Sequence, residues 1–265
     1  MKIRNLAFWL IITGSTSSCG KQAEGDLSAV SGINIRMVEM FDKSPRTIQF
    51  HFFTTKIYPC SNYPIILESL QSSNSIDISF KGVMKTDLCA TALGPATAHI
   101  DLGALSNGTY TLNLRSGGVR RTGTLVVSSD SYKVNLGRNS AFRFETPVLN
   151  KIPEHTIWGT IGYHRQETSS LVQSFLTALT NLGATKRSYN PGHYSAFEID
   201  KNGNIVQPGA NSGYWFAQSF IFHYSGDITN VEELVKQYAR DYGIDYMYIS
   251  VYNDKGKQFL SWMYK

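Results

Sequence analysis

The stretch AFRFETPVLNKIPEH, residues 141–155, is where the rhythm of this 265-residue chain changes. Before it come short β-rich runs with turn residues between them. Pro147 and Pro153 break that rhythm, because proline lacks the N–H that strand pairing requires. After it, helical stripes alternate with strands. The change predicts two domains, 31–148 and 149–265.

In the first half, INIRMVEM (33–40) and SIDISFKG (75–82) alternate apolar and polar residues, with Ile76, Ile78 and Phe80 on one face. TIQFHFFTTKIY (47–58) is β-branched and aromatic. ATAHIDLG (96–103), TYTLNLRS (109–116), GTLVVS (123–128) and SYKVNL (131–136) continue the series, with turns expected at Gly94-Pro95, Asn107-Gly108 and Gly117-Gly118. The one helix candidate is YPIILESLQSS (63–73). Regular short strands with this punctuation predict an all-β sandwich. LSNGTYTLNL (105–114) resembles the late strands of immunoglobulin-like domains. The resemblance implies that the Tyr110 hydroxyl ties down a loop, and it speaks to fold rather than function. His51 and His99 lie within strand patterns and read as half-buried or surface side chains.

In the second half, TIWGTIGYH (156–164) reads as a strand, and residues 168–182 as a helix with Leu171, Val172, Phe175, Leu176, Leu179 and Leu182 on one stripe and Gly183 as its stop. Strands are expected at 193–199 and 214–224. Thr229 and Glu232 have capping-box spacing ahead of a second helix with Val231, Leu234, Val235, Tyr238 and Tyr242 on its stripe. DYMYISVY (245–252) and KQFLSWMY (257–264) read as a closing hairpin. This order resembles the split βαβ, or ferredoxin-like, α+β arrangement with one added strand; the likeness is topological and brings no cluster ligands.

The N-terminus carries an address. Lys2 and Arg4 precede the apolar run LAFWLII (6–12), which is followed by TGSTSS and Cys19. A basic head, a short apolar core and a small-residue exit describe a secretory signal, since a bilayer span needs about 20 apolar residues. The segment resembles a bacterial lipoprotein signal, in which the first mature residue is a lipid-modified cysteine. Ser18 fits the small position before it, whereas Thr16 stands where the family places a Leu-like residue. The resemblance implies a signal peptide at 1–18, lipid on Cys19, a tether over 19–30 and a membrane partner reached through that lipid. The other reading is an ordinary cleaved signal that leaves Cys19 a free thiol. Because Gly20 rather than Asp follows the cysteine, the enterobacterial sorting rule implies the outer membrane, in a periplasmic or surface-facing position of the cell envelope.

Three cysteines are an odd count for an exported chain. Lipid on Cys19 accounts for one and leaves Cys60 and Cys89 to form a disulfide in an oxidising compartment, with two buried thiols as the alternative. Net charge is +5, of which Lys2 and Arg4 leave with the signal. No basic stripe argues for nucleic acid.

Strand 245–252 puts Met247, Ile249 and Val251 on one face and Tyr246, Tyr248, Ser250 and Tyr252 on the other. With helices over the aliphatic face, Tyr246, Tyr248 and Tyr252 are the candidate ligand-binding residues, for a sugar ring or an envelope protein partner, unless they simply pack. Trp158, Trp215 and Trp262 lie on other strands, on faces that alternation does not fix. His193 and His223 are expected at the open end of one hairpin, which is too few ligands for a metal site. DKNGNI (200–205) has its glycine at the fourth position of a would-be calcium loop and reads as a hairpin turn. No nucleophile elbow, zinc-helix or phosphate-loop motif is present. No cofactor is expected. The leading expectation is a non-catalytic binding or assembly module; the rivals are a glycan-binding surface lipoprotein and a hydrolase that pairs Glu167, Glu198 or Asp200 with His164 or His193.

Overall fold

The computed structural model of the protein describes residues 30, 32–41, 43–137, 140–206, 213–243 and 246–264. The signal segment, Cys19 and all of the tether except Val30 lie outside the described residues. Most of the regular structure is β, arranged in four sheets, with two α-helices.

Ten strands make a sandwich. They are β1 (Ile33–Met40), β2 (Thr47–Tyr58), β3 (Ile65–Gln71), β4 (Ser75–Val83), β5 (Gly94–Asp101), β6 (Gly108–Ser116), β7 (Val119–Val127), β8 (Ser131–Asn135), β9 (Phe142–Phe144) and β10 (Val148–Asn150). One sheet runs β5-β2-β1-β9, the other β10-β8-β7-β6-β4-β3. Their inward residues form one core. Ile33, Ile35 and Met37 of β1 and Phe50 and Phe52 of β2 meet Ile76, Ile78 and Phe80 of β4 and Leu112 and Leu114 of β6. The immunoglobulin-like likeness fits this architecture, and the Tyr110 hydroxyl donates to the Ser106 carbonyl at 2.9 Å, holding the turn before β6.

Two local expectations in this half are corrected. Residues 65–71 form strand β3 and not a helix: β3 pairs along the edge of β4, and Lys81 of β4 bonds Glu68 at 2.7 Å. Its outward residues need no core stripe because β3 is an edge strand. Gly94-Pro95 opens β5 rather than making a turn, with Pro95 opposite Ile57 at the end of β2.

The two ends of the sandwich differ. At one end β1 starts with Ile33 opposite Thr54, the Gly32 carbonyl accepts from the Thr55 N–H at 3.0 Å, and Ser116 Oγ donates to the Val30 carbonyl at 3.1 Å. The chain enters here. At the other end Met40 faces Thr47, and β10 delivers the chain to the rest of the molecule.

That remainder contains β11 (Thr156–Tyr163), α1 (Ser169–Asn181), β12 (Gly192–His193), β13 (Glu198–Ile199), β14 (Ile205–Val206), β15 (Phe216–His223), α2 (Ile228–Tyr242), β16 (Met247–Asn253) and β17 (Gln258–Leu260). The main sheet runs β15-β11-β16-β17. β11 pairs antiparallel with both β15 and β16, so these two run parallel on either side of it, joined in sequence through α2. Val172, Phe175 and Leu179 of α1 and Val231 and Val235 of α2 cover one sheet face, over Ile157, Ile161, Phe220, Phe222, Ile249 and Val251.

The strand expected at 193–199 is instead β12 and β13, two short strands that join β14 in a separate sheet. On the side of β15 away from β11, the described residues contribute an isolated bridge from Thr185 to His223. The capping box is also corrected. Asp227 is the N-cap of α2 and accepts from the Thr229 N–H at 3.0 Å; hydrogen bonding to the Thr229 hydroxyl, and then to this N–H, holds its carboxyl below the usual range. Glu232 instead pairs with Lys236 at 2.9 Å. The last strand stops at Leu260, where Ser261 Oγ accepts the Ile249 N–H at 3.0 Å and a 3-10 turn replaces the ladder. Residues 200–204 do form a hairpin turn, and Asp200 Oδ1 accepts from the N–H groups of Asn202 and Asn204, both at 2.8 Å.

Cys60 and Cys89 are joined, with Cα atoms 5.2 Å apart and a sequence separation of 29. On the chain-entropy model, closing a loop of that length stabilises the fold by about 3–4 kcal/mol. Denaturant unfolding of the Cys60→Ala/Cys89→Ala variant should show a loss of that order, and reductant should shift the parent protein but not the variant.

Candidate functional site

The molecule's most buried charges lie where the sandwich meets the α/β part. β1 alternates inward and outward, and Glu39 is in phase with the core residues Ile33, Ile35 and Met37. Its side chain is 2 % exposed and sits 3.6 Å from Arg46 Nη1. Arg46 lies on the β1–β2 connection and also reaches Asp254 at 3.3 Å, in the turn between β16 and β17. Its Nη1 donates to the Ile152 carbonyl, just after β10. Glu39 Oε2 accepts the Ile152 N–H at 3.3 Å, and the Glu39 N–H donates to Ser195 Oγ, in the connection between β12 and β13, at 2.5 Å. Asp254 Oδ2 accepts the N–H of His155, the only described non-glycine residue at positive φ (60°).

The electrostatics follow from burial. Removing the Glu39 carboxylate from water pushes its pKa up, and the Arg46 cation opposes this without cancelling it. Burial pushes Lys151 down, against the attraction of Glu39 and Asp130, while its Nζ donates to the Ser128 carbonyl at 2.6 Å and lies 4.6 Å over the Tyr132 ring. The Tyr132 hydroxyl is pushed up to about 12, chiefly by burial and then by Glu39.

An aromatic cleft adjoins this cluster. Arg46 lies 5.8 Å over the Phe41 ring, which meets Trp158 edge-on at 5.9 Å. Trp158 stacks on Tyr252 at 6.1 Å and touches Phe197 at 5.5 Å. Phe41, Trp158, Ala196, Tyr252, Lys257 and Gln258 line most of a cleft of about 340 Å³. The sandwich, the small sheet and the main sheet each contribute a wall.

The three candidate tyrosines do not share one open surface. Tyr252 is half-buried in the cleft beside Trp158, itself only 3 % exposed. Tyr248 is half-buried and stacks on Tyr214 at 5.7 Å, which in turn meets His164 at 4.9 Å. Tyr214 lies flat on Gly162, where a Cβ would come within 2.5 Å of its ring. Tyr246 is 52 % exposed and precedes the strand. Trp215 and Trp262 are exposed.

His193 and His223 take different partners on different sheets. His193 faces Glu198 at 3.3 Å, and the His223 ring lies 5.8 Å from that of His155. Among the described residues no three His, Cys, Asp or Glu side chains cluster as a metal site, and no helix is long and apolar enough to cross a membrane. Sequence reasoning missed Phe41, Arg46, Phe197 and Asp254. One signal was present: an acid, Glu39, in the inward phase of an otherwise apolar strand face. Comparison with family models, curated proteins and solved structures finds no match to this chain.

Removing one member of a buried charge cluster costs about 3–5 kcal/mol. Arg46→Ala should therefore destabilise the protein strongly near neutral pH. Without Arg46, the Glu39 pKa rises further above its unfolded value. A raised acid pKa gives stability that is present at low pH and lost as pH rises through the folded value. The deficit of Arg46→Ala should thus shrink on acidification towards about pH 4, the ordinary range of a free glutamate. Urea unfolding of both proteins across pH checks this; a deficit independent of pH would contradict it.

Proposed function

We propose that this protein is a bacterial envelope lipoprotein, anchored through lipid on Cys19, that binds a ligand or partner without performing chemistry. The observation that carries the binding reading is the aromatic cleft between Phe41, Trp158 and Tyr252. A cleft of this size, mostly apolar with a few polar groups at its rim, suits one flat ring. The Tyr252 and Phe41 rings offer apolar faces, and Lys257 and Gln258 supply hydrogen-bond donors. Such a site accommodates a sugar ring of an envelope glycan or an aromatic side chain of a partner protein. Tyr248 and Tyr246 would extend the contact for a longer ligand.

In this reading residues 31–148 are an immunoglobulin-like module and residues 149–265 a ferredoxin-like one. Support for the second comes from the sheet order. The Thr185 bridge, β15, β11 and β16 lie side by side in the order 2-3-1-4, with β17 as the added edge strand. The second strand of the pattern is reduced to that single bridge.

Two measurements test the proposal. The intact mass of protein purified from its host's membranes should show a diacylglyceryl or triacyl adduct on a chain that begins at Cys19, absent from Cys19→Ala. A soluble product with a free thiol would overturn the anchor. Separately, envelope glycan fragments should change the protein's tryptophan emission, and Tyr252→Ala should weaken that response at least several-fold. A response unaltered by Tyr252→Ala would place binding elsewhere.

A further inference from the structure

The sandwich end at which the chain enters carries an unusual surface. Leu88 is 85 % exposed, Leu93 80 % and Ile57 56 %. Leu88 and Leu93 belong to the loop between β4 and β5, and Ile57 to the last turn of β2 beside it. Their exposure is imposed by a braced loop. The Cys60–Cys89 disulfide pins the loop at its centre. Asn62 clamps it from both sides of Cys89: its Nδ2 donates to the Leu88 carbonyl at 2.7 Å and its Oδ1 accepts the Ala90 N–H at 3.0 Å. The leucine side chains are thus held outward, where water penalises them.

Cations lie at the same end of the sandwich. Lys56, Lys85 and Arg120 are all exposed at this end, and the loop's own acid is Asp87. Arg120 sits in the β6–β7 hairpin, whose Ser116 holds the Val30 carbonyl. Val30 lies eleven positions after Cys19. Fully extended the tether reaches at most about 35–40 Å, so a lipid on Cys19 would hold the molecule by this end, within that distance of the bilayer. The opposite end, with Arg46 and the cleft, lies ten residues along β2 from Ile57, about 35 Å away at strand rise.

We infer that this end of the sandwich is a membrane-contact surface, in which Ile57, Leu88 and Leu93 enter the interface of an anionic phospholipid bilayer while Lys56, Lys85 and Arg120 face its headgroups. Exposed apolar side chains accompanied by lysine and arginine are the composition that such interfaces bind. The inference rests on the lipid-anchor reading for its orientation. It deepens that reading, because the fold and not only the lipid then holds the molecule upright, with the cleft directed away from the membrane.

The test imposes the anchor chemically, so its outcome does not depend on whether the host lipidates Cys19. With Cys60 and Cys89 paired, Cys19 is the one free thiol of the mature chain, and it is coupled to a maleimide phospholipid. The vesicles contain phosphatidylcholine, phosphatidylglycerol and lipids brominated in the acyl chain. Bromine should quench emission from the Leu88→Trp variant that the parent protein lacks. The Leu70→Trp variant, at a position also well exposed but at the far end of β3, should lose nothing relative to the parent. Lys56→Glu/Lys85→Glu in the Leu88→Trp background should reduce the quenching, as should omission of phosphatidylglycerol. Absence of quenching at position 88 despite completed coupling, or equal quenching at 70 and 88, overturns the surface. Quenching indifferent to lipid charge and to both lysines overturns the role of the cations. The intact-mass measurement on host protein separately decides whether the natural anchor exists.

Discussion

The Arg46 guanidinium is the contact on which the arrangement of the molecule depends. It joins Glu39 on the sandwich, the Ile152 carbonyl on the connecting chain and Asp254 on the α/β sheet. One cation between two carboxylates resolves a problem that each half alone would carry: Glu39 faces a core, and Asp254 is nearly buried. Bringing the halves together satisfies both. Surface ion pairs contribute little to stability, but charges withdrawn from water bind their partners tightly because the alternative is an unpaired buried charge. The pair therefore fixes how the two parts meet.

That fixed meeting is what creates a cleft. Phe41 comes from the sandwich, Ala196 from the small sheet, Trp158 and Tyr252 from the main sheet, and Arg46 itself lies against Phe41. None of these parts holds the site alone. The outer face of the main sheet is consequently divided: its Tyr252 end is closed by the junction, whereas at the other end Tyr214 stacks on Tyr248, in the space left by the missing side chain at Gly162. The other pole of the sandwich has opposite character, with a disulfide-braced loop that displays leucines near the chain's entry. A sandwich with an aromatic cleft at one pole and exposed leucines at the other has the polarity that the proposed anchored binding module calls for.

Much of this was legible in the residues. Period-two alternation marked β1 and β4, the β-branched and aromatic run marked β2, and the stripes of α1 and α2 appeared at helical spacing; in each, a core face imposes its period on the chain. Local chemistry misled where two groups competed for one role. Asp227, two residues ahead of Thr229, is the better acceptor for the free N–H groups and took the cap. The run at 63–73 has no clear period because an edge strand needs only a few inward residues, and β4 decided its conformation.

By itself the sequence determined the β-rich character of the first half, the pairing of Cys60 with Cys89 once Cys19 is set aside, and the aliphatic face of β16. Those follow from composition and period, which act over a few neighbouring residues. Only the tertiary structure decided that Arg46 would meet Asp254, that Trp158 would stack on Tyr252, and that Tyr246, Tyr248 and Tyr252 would part company. These contacts join residues more than ninety positions apart, or depend on what another element lays across a face. Side-chain alternation says which face a residue takes, but it carries no information about what will cover that face.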